Sequence, residues 1–98
     1  MKDLLFSFCI PVRNDPWNLK RCLSGFRNQD LSDCEILVCD DGSTPPLSAG
    51  DFKETGVPFM LVRQVNQGPA AARNHLARLA KGTYLFFIDA DTVPQAPK

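Results

Sequence analysis

Two aspartates, Asp89 and Asp91, directly follow an apolar run near the end of the sequence, in the stretch YLFFIDADT that begins at Tyr84. Neighbouring carboxylates repel each other and raise each other's pKa unless a cation lies with them. Carboxylate oxygens suit Mg²⁺ and Mn²⁺, and the phosphates of a substrate usually complete the coordination of these ions. The pair therefore indicates a metal that holds a diphosphate, with a solvated turn as the alternative.

Asp40 and Asp41 end another apolar run, in the stretch CDDGST. Carboxylates there could accept hydrogen bonds from the N–H of a base or from sugar hydroxyls, whereas Asp-Gly and Ser-Thr are also common turn formers. In the stretch NQGPAAARN, Gly68 precedes the start of a predicted helix, where free N–H groups and the helix dipole suit an anion. Arg73 lies one turn further on and could reach a phosphate or a base, or could simply be a surface residue.

The elements that must position these residues alternate between strand and helix. The continuous apolar runs predict strands over residues 4–12, 34–40, 59–65 and 83–89, of which we expect the first to be covered on both faces and the second and the last to be buried as well. Asp15 and Pro16 begin one helix, and Pro69 begins another, which we expect Gly82 to end. This alternation predicts a parallel sheet, whose strands share one carboxyl edge where ligands bind. The polar stretches converge at that edge.

The overall composition limits the classes of protein that are possible. The chain has 98 residues and a formal net charge of zero, so we expect one domain or part of one, with no nucleic-acid partner. The first apolar run is too short for a signal peptide, and no run could span a membrane. Four cysteines without a C-x-x-C pair predict free thiols in a reducing compartment. We therefore expect a cytoplasmic protein, at most peripheral to the inner face of a membrane through parts outside this chain.

Four stretches together resemble the nucleotide-sugar-binding half of a family 2 glycosyltransferase with the GT-A fold: SFCIPVRN, LVCDDGST, NQGPAAARN and YLFFIDADT. The resemblance implies an α/β fold, with a Rossmann-like open, mainly parallel four-stranded sheet and flanking helices. It implies that residues 1–98 are the donor-binding part of a GT-A domain, with the acceptor-binding part absent. The implied reaction transfers a sugar, with inversion, from a nucleotide diphosphate, most simply a UDP-sugar, to a glycan or lipid acceptor.

The resemblance also implies roles for individual residues. The wall of the nucleotide pocket is assigned to the four residues that end the first motif: Pro11, Val12, Arg13 and Asn14. Asp41 is expected to receive the N–H of the base, while Asp40 supports that loop. Arg73 is expected to help hold the base or the diphosphate.

For the last motif, the resemblance implies that Asp89 faces the ribose and that Asp91 ligates Mn²⁺ or Mg²⁺. It assigns no catalytic base within this chain. Two positions depart from the family pattern: Arg13 stands where an aromatic residue often stacks on the base, and Ala77 stands in place of a common glycine.

Two other functions are open at this stage. The stretch FFIDADT also resembles the motif of haloacid-dehalogenase-like phosphatases, in which Asp89 would be a nucleophile and Asp91 an acid/base. A non-catalytic module that binds a nucleotide sugar is the other alternative. A dinucleotide-binding Rossmann domain is disfavoured, because no G-x-G-x-x-G follows the first strand.

Overall fold

The computed structural model of the protein describes residues 4–91 and has the predicted α/β architecture. The four strands are β1 Phe6–Val12, β2 Cys34–Asp41, β3 Met60–Gln64 and β4 Tyr84–Phe87. The helices are α1 Pro16–Ser24, a 3₁₀ helix Ala49–Thr55 and α2 Pro69–Leu79. Thr92, the last residue of the motif YLFFIDADT, lies outside the described residues, as do residues 1–3 and 93–98.

All four strands are parallel, in the order β3-β2-β1-β4. The pleat of β1 and β2 sends alternate side chains to opposite faces of the sheet. One face, with Ile10 and Val38, packs in the main core with α1 and the 3₁₀ helix. The other face, with Cys9 and Leu37, packs against Ala72 and Leu76 of α2. Helices on both faces confirm the predicted layer arrangement.

Helix α1 begins as its sequence predicts. Asp15 is the N-cap, and its Oδ1 accepts a hydrogen bond of 3.2 Å from the backbone N–H of Asn18, while Pro16 occupies the first helical position. Four apolar side chains of α1 and the turn after it recur at the spacing of one helical face and are buried in the main core: Leu19, Cys22, Leu23 and Phe26.

The end of α2 differs from the prediction, because the helix stops at Leu79, before Gly82. Gly82 instead makes a close approach to β1: a Cβ atom there would lie 2.6 Å from the carbonyl carbon of Phe6. The N–H of Gly82 donates to the hydroxyl of Ser7 at 2.8 Å, and that hydroxyl donates to Glu35 at 2.6 Å. The glycine is therefore needed to bring the chain from α2 into β4, and not to terminate the helix.

The prediction that β4 is a buried strand is wrong. Its four side chains are all exposed, with 57% of Tyr84, 36% of Leu85, 46% of Phe86 and 47% of Phe87 accessible. Within residues 4–91, β4 lies at the edge of the sheet beside β1, beyond the helices that cover β1 and β2. Neither face of β4 is covered by a helix within residues 4–91, although Phe86 contacts the rings of Phe6 and Phe8.

The cysteines are free, as predicted. Burial raises the pKa of the thiols of Cys9, Cys22 and Cys39 to about 11, so these three groups stay protonated at neutral pH. Within residues 4–91, none of the helices is both long and apolar enough to cross a membrane.

Candidate functional site

The strand order creates a crevice at the carboxyl edge of the sheet. The chain adds β2 and β3 on one side of β1 and β4 on the other, so the strand order reverses between β1 and β4. Ligands of open parallel sheets bind at such a point. A cavity of about 150 Å³ lies there, lined by Pro11, Val12, Arg13, Asp41, Pro69, Ala72 and Asp89.

Asp41 is the most extensively bonded polar residue of this cavity. Its Oδ1 accepts hydrogen bonds from Gln64 Nε2 at 2.9 Å and from the N–H of Gln67 at 2.8 Å. Its Oδ2 accepts bonds from Asn66 Nδ2 and from the N–H of Gly68, each at 3.0 Å. Burial would raise the pKa of Asp41, but these hydrogen bonds outweigh burial and lower it. Asp41 is therefore ionised, and it holds the loop that leads into α2.

Asp40 points to the opposite face of the sheet, because it precedes Asp41 in the pleat. It is fully buried, and it accepts hydrogen bonds from the N–H groups of Ser43 and Leu47 at 2.8 and 3.0 Å. Arg63 of β3 completes an ion pair with it at 2.7 Å. Burial opposes ionisation, but the bonds from Ser43 and Leu47 and the charge of Arg63 together lower the pKa of Asp40. Asp40 thus contacts the loop after β2 and does not line the cavity.

Asn14 joins the loops that follow β1 and β2. Its backbone N–H donates to Ser43 Oγ, and its side-chain Oδ1 accepts from the N–H of Thr44, both at 2.8 Å. The φ angle of Asn14 is +53°, in the left-handed region that asparagine tolerates better than most residues. Arg13, just before it, is exposed and lines the cavity. The first motif therefore supplies both a wall of the cavity and the contact that fixes that wall.

The loop before α2 lies close to the loop after β2. Gly42 has a φ of +76°, and a Cβ atom there would lie 2.6 Å from the backbone nitrogen of Asn66. Gly68 caps α2 with a φ of +99°, and its N–H is donated to Asp41. Arg73 is half-buried in α2 and is not among the residues that line the cavity. The anion expected at this helix end would have to use N–H groups other than that of Gly68.

Asp89 and Asp91 flank a buried residue, Ala90, which is 9% exposed and packs in the main core. Asp89 is exposed and lines the cavity, whereas Asp91 is exposed outside the lining. Asp91 lies near Cys22 of α1, where its charge adds to burial in raising the pKa of that thiol. The anchored alanine therefore fixes the backbone between two accessible carboxylates.

The residues present fit a divalent metal that a substrate helps to hold. No group of three or more His, Cys, Asp or Glu residues that could hold a metal exists within residues 4–91, so a cage made by protein alone is absent there. Mg²⁺ and Mn²⁺ are commonly held by one or two carboxylates together with substrate phosphates. Asp89 and Asp91 offer hard oxygen ligands of this kind.

Several residues of this site were not found from the sequence. Pro69 and Ala72 line the cavity, whereas the sequence indicated only that they lie in the first turn of a helix. Gln64 and Asn66 hold Asp41 through their side-chain amides. Both are polar residues at or just after the carboxyl end of β3. This position could have indicated a place in the site, because the carboxyl ends of all parallel strands lie at the same edge of the sheet.

The chain matches known proteins over most of its length. The family model for glycosyl transferase family 2 matches residues 7–97. EpsH of Bacillus subtilis (strain 168), a protein named as a glycosyltransferase, is 33% identical over 93 residues, which are 93% of this chain and 27% of that protein. The chain thus spans about a quarter of this relative's length. The family match shows that the phosphatase alternative is wrong.

Solved structures share the fold. The crystal structure of S. aureus TarS 1-349 in complex with UDP-GlcNAc superposes with a TM-score of 0.77 at 22% identity, and covers 90% of this chain and 27% of that one. The mannosyltransferase PcManGT from Pyrobaculum calidifontis, in complex with GDP-Man and Mn²⁺, superposes with a TM-score of 0.75 at 21% identity over 95% of this chain and 29% of its own. Both likenesses establish the GT-A type of sheet and helix arrangement.

Proposed function

Because the chain belongs to glycosyl transferase family 2, we propose that it binds a nucleotide-diphosphate sugar, with a UDP-sugar as the donor. The observation that carries this proposal is the cavity at the carboxyl ends of β1 and β4, where Arg13, Asp41 and Asp89 meet. The solved neighbours TarS and PcManGT, which hold UDP-GlcNAc and GDP-Man, lend support. Residues 1–98 would form the donor-binding part of a GT-A domain in a cytoplasmic enzyme at the inner face of a membrane.

The base would lie between the loop after β1 and the loop before α2. Arg13 is exposed at the cavity, and its planar guanidinium can stack on a base where an aromatic residue is missing. A carboxylate has about four acceptor sites, and four donors already use those of Asp41. An N–H of the base would therefore replace or share the bond from the exposed Asn66, while the backbone donors stay in place.

The diphosphate and the ribose would lie toward β4. Asp89 is accessible in the cavity and would accept hydrogen bonds from ribose hydroxyls. Asp91 would hold the divalent metal together with phosphate oxygens, and Arg73 would approach the diphosphate only if its side chain leaves its half-buried position. When bound, the metal would supply electrostatic stabilisation of the departing nucleoside diphosphate.

Transfer of the sugar also requires an acceptor and a base. The carboxylates at the strand ends are already engaged: Asp40 and Asp41 in hydrogen bonds, and Asp89 and Asp91 in the proposed donor and metal contacts. We propose that residues outside this chain bind a glycan or lipid acceptor and supply the base that deprotonates its hydroxyl, with inversion at the anomeric carbon.

Calorimetric titration of UDP and GDP, with and without Mn²⁺, tests the proposal. We expect UDP to bind, and Mn²⁺ to tighten its binding in the wild type but not in Asp91→Asn. Asp51→Asn is a matched control, because Asp51 is an exposed carboxylate on the 3₁₀ helix. Absence of binding at millimolar nucleotide in both conditions would show that this chain has no such site. An equal effect of Mn²⁺ on wild type and Asp91→Asn would remove the role given to Asp91.

A further inference from the structure

A line of side-chain hydrogen bonds runs from the middle of α2 to the cavity. His75 Nδ1 lies 2.9 Å from Gln64 Oε1, and Gln64 Nε2 lies 2.9 Å from Asp41 Oδ1. Gln64 and Asp41 are also paired in register across β3 and β2, so the backbone fixes their separation. His75 therefore contacts the cavity wall through a single intervening amide.

The charge of Asp41 sets the direction of every bond in this line. An ionised carboxylate only accepts hydrogen bonds, so the amide of Gln64 must turn its NH₂ group toward Asp41. Its oxygen then faces His75, and an amide oxygen also only accepts. The proton must therefore reside on Nδ1 of His75, and the opposite tautomer would place two acceptors 2.9 Å apart.

The hydrogen bond to the amide oxygen of Gln64 comes from His75 and not from the neighbouring thiol. Within residues 4–91, the other side-chain hydrogen-bond contact of Nδ1 is with Cys39 Sγ, at 3.9 Å. Burial, and then the charges of Asp41 and Asp40, raise the pKa of that thiol to about 11. A protonated thiol is a weak donor and a weak acceptor, so it cannot hold the amide of Gln64 in place of the imidazole.

We propose that His75 is a positioning residue for nucleotide binding. Its Nδ1–H holds the amide of Gln64 in one orientation, and the amide holds the Asp41 carboxylate toward the loop 66–68 and the cavity. Without the imidazole, the amide of Gln64 can turn its NH₂ group away from Asp41. The carboxylate then loses one of its four hydrogen-bond donors. This inference rests on the proposed nucleotide site, because it concerns the same carboxylate.

Two substitutions separate positioning from packing. His75→Asn keeps an N–H donor near the place of Nδ1, whereas His75→Leu fills similar space with no donor. We expect His75→Leu to weaken UDP binding, measured by calorimetry, by about threefold to tenfold, the effect of one hydrogen bond. His75→Asn should restore the affinity to within about twofold of the wild type, and thermal unfolding of both variants checks that they are folded.

The tautomer gives a second readout that does not depend on nucleotide. At pH 8.5, ¹⁵N NMR of the single imidazole should show the proton on Nδ1 in the wild type. Gln64→Leu should abolish this preference. A proton on Nε2 in the wild type, or equal UDP affinities for the Leu and Asn variants, would overturn the proposal. If the wild type binds no nucleotide at all, the proposed function fails first and the positioning role fails with it, whatever the tautomer.

Discussion

Replacing Asp41 by asparagine should destabilise the fold, although the two side chains have nearly the same shape. Asp41 is only 4% exposed, and each of its oxygens accepts one bond from a side-chain amide and one from a backbone N–H. In Asp41→Asn, one oxygen becomes an NH₂ group. The amide that faces it can turn over and offer its oxygen, but the backbone N–H of Gln67 or Gly68 cannot turn and is left facing a donor.

The expected loss of stability follows from these four hydrogen bonds. The N–H groups of Gln67 and Gly68 are partly buried, so one that is left without an acceptor costs about 1–2 kcal/mol, the lower part of the range for a buried group. The other three bonds lose the charge that made them roughly twice as strong as neutral ones, at about 0.5–1 kcal/mol each. We therefore expect Asp41→Asn to lower the free energy of unfolding by about 2.5–5 kcal/mol, a large share of the total for a domain of this size.

Urea denaturation followed by far-ultraviolet circular dichroism is the suitable assay. The fluorescence of Trp17 would report poorly, because this side chain is 75% exposed in the folded state. Asp51→Asn makes the same chemical change at an exposed position, and should alter stability by less than about 0.5 kcal/mol. If Asp41→Asn were as stable as Asp51→Asn, the bonds assigned to Asp41 would not be those that hold the loop before α2.

The same carboxylates predict how stability depends on pH. The pKa values of Asp40 and Asp41 are lowered in the folded protein, so the unfolded chain binds protons more readily than the folded one. Their contribution is complete above the unfolded pKa of about 3.9, and is lost as pH falls through that value toward the lower folded pKa. Wild-type stability should therefore fall below about pH 5, and Asp41→Asn should show a shallower fall over this range. Equal slopes in the two proteins would contradict this assignment.

Two further predictions concern packing and thiol chemistry. Gly82→Ala should lower the free energy of unfolding by about 1–3 kcal/mol, because its Cβ would meet the backbone of β1 at 2.6 Å; in thermal unfolding, Gly50→Ala, with its nearest neighbour at 3.8 Å, should have little effect. At pH 8, iodoacetamide should modify Cys34, which is half-buried, well before the three fully buried thiols, as mass spectrometry of the labelled native protein would show. Equal labelling of all four would mean that the folded state opens faster than the reagent reacts.

The sequence by itself determined the elements and the place where they meet. Apolar runs, a capping Asp15, and Pro16 and Pro69 at helix starts are local signals, since they reflect the solvation and backbone geometry of a few consecutive residues. The alternation of strands and helices then required parallel strands with a shared carboxyl edge. For that reason Arg13, Asp41 and Asp89 could be expected near one another before their positions were known, and the structure places all three around one cavity.

Only the tertiary structure decided how these residues are used. Within the described residues, the strand order places β4 beyond the helices that cover β1 and β2, so an apolar run that predicted a buried strand is exposed on both faces. The pleat turns Asp40 to one face, where it bonds to Arg63, and Asp41 to the other, where it bonds to the loop before α2. The bonds that join His75, Gln64 and Asp41 link residues up to 34 positions apart in the numbering. Such partners depend on the packing of whole strands and helices, which no local pattern of residue types records.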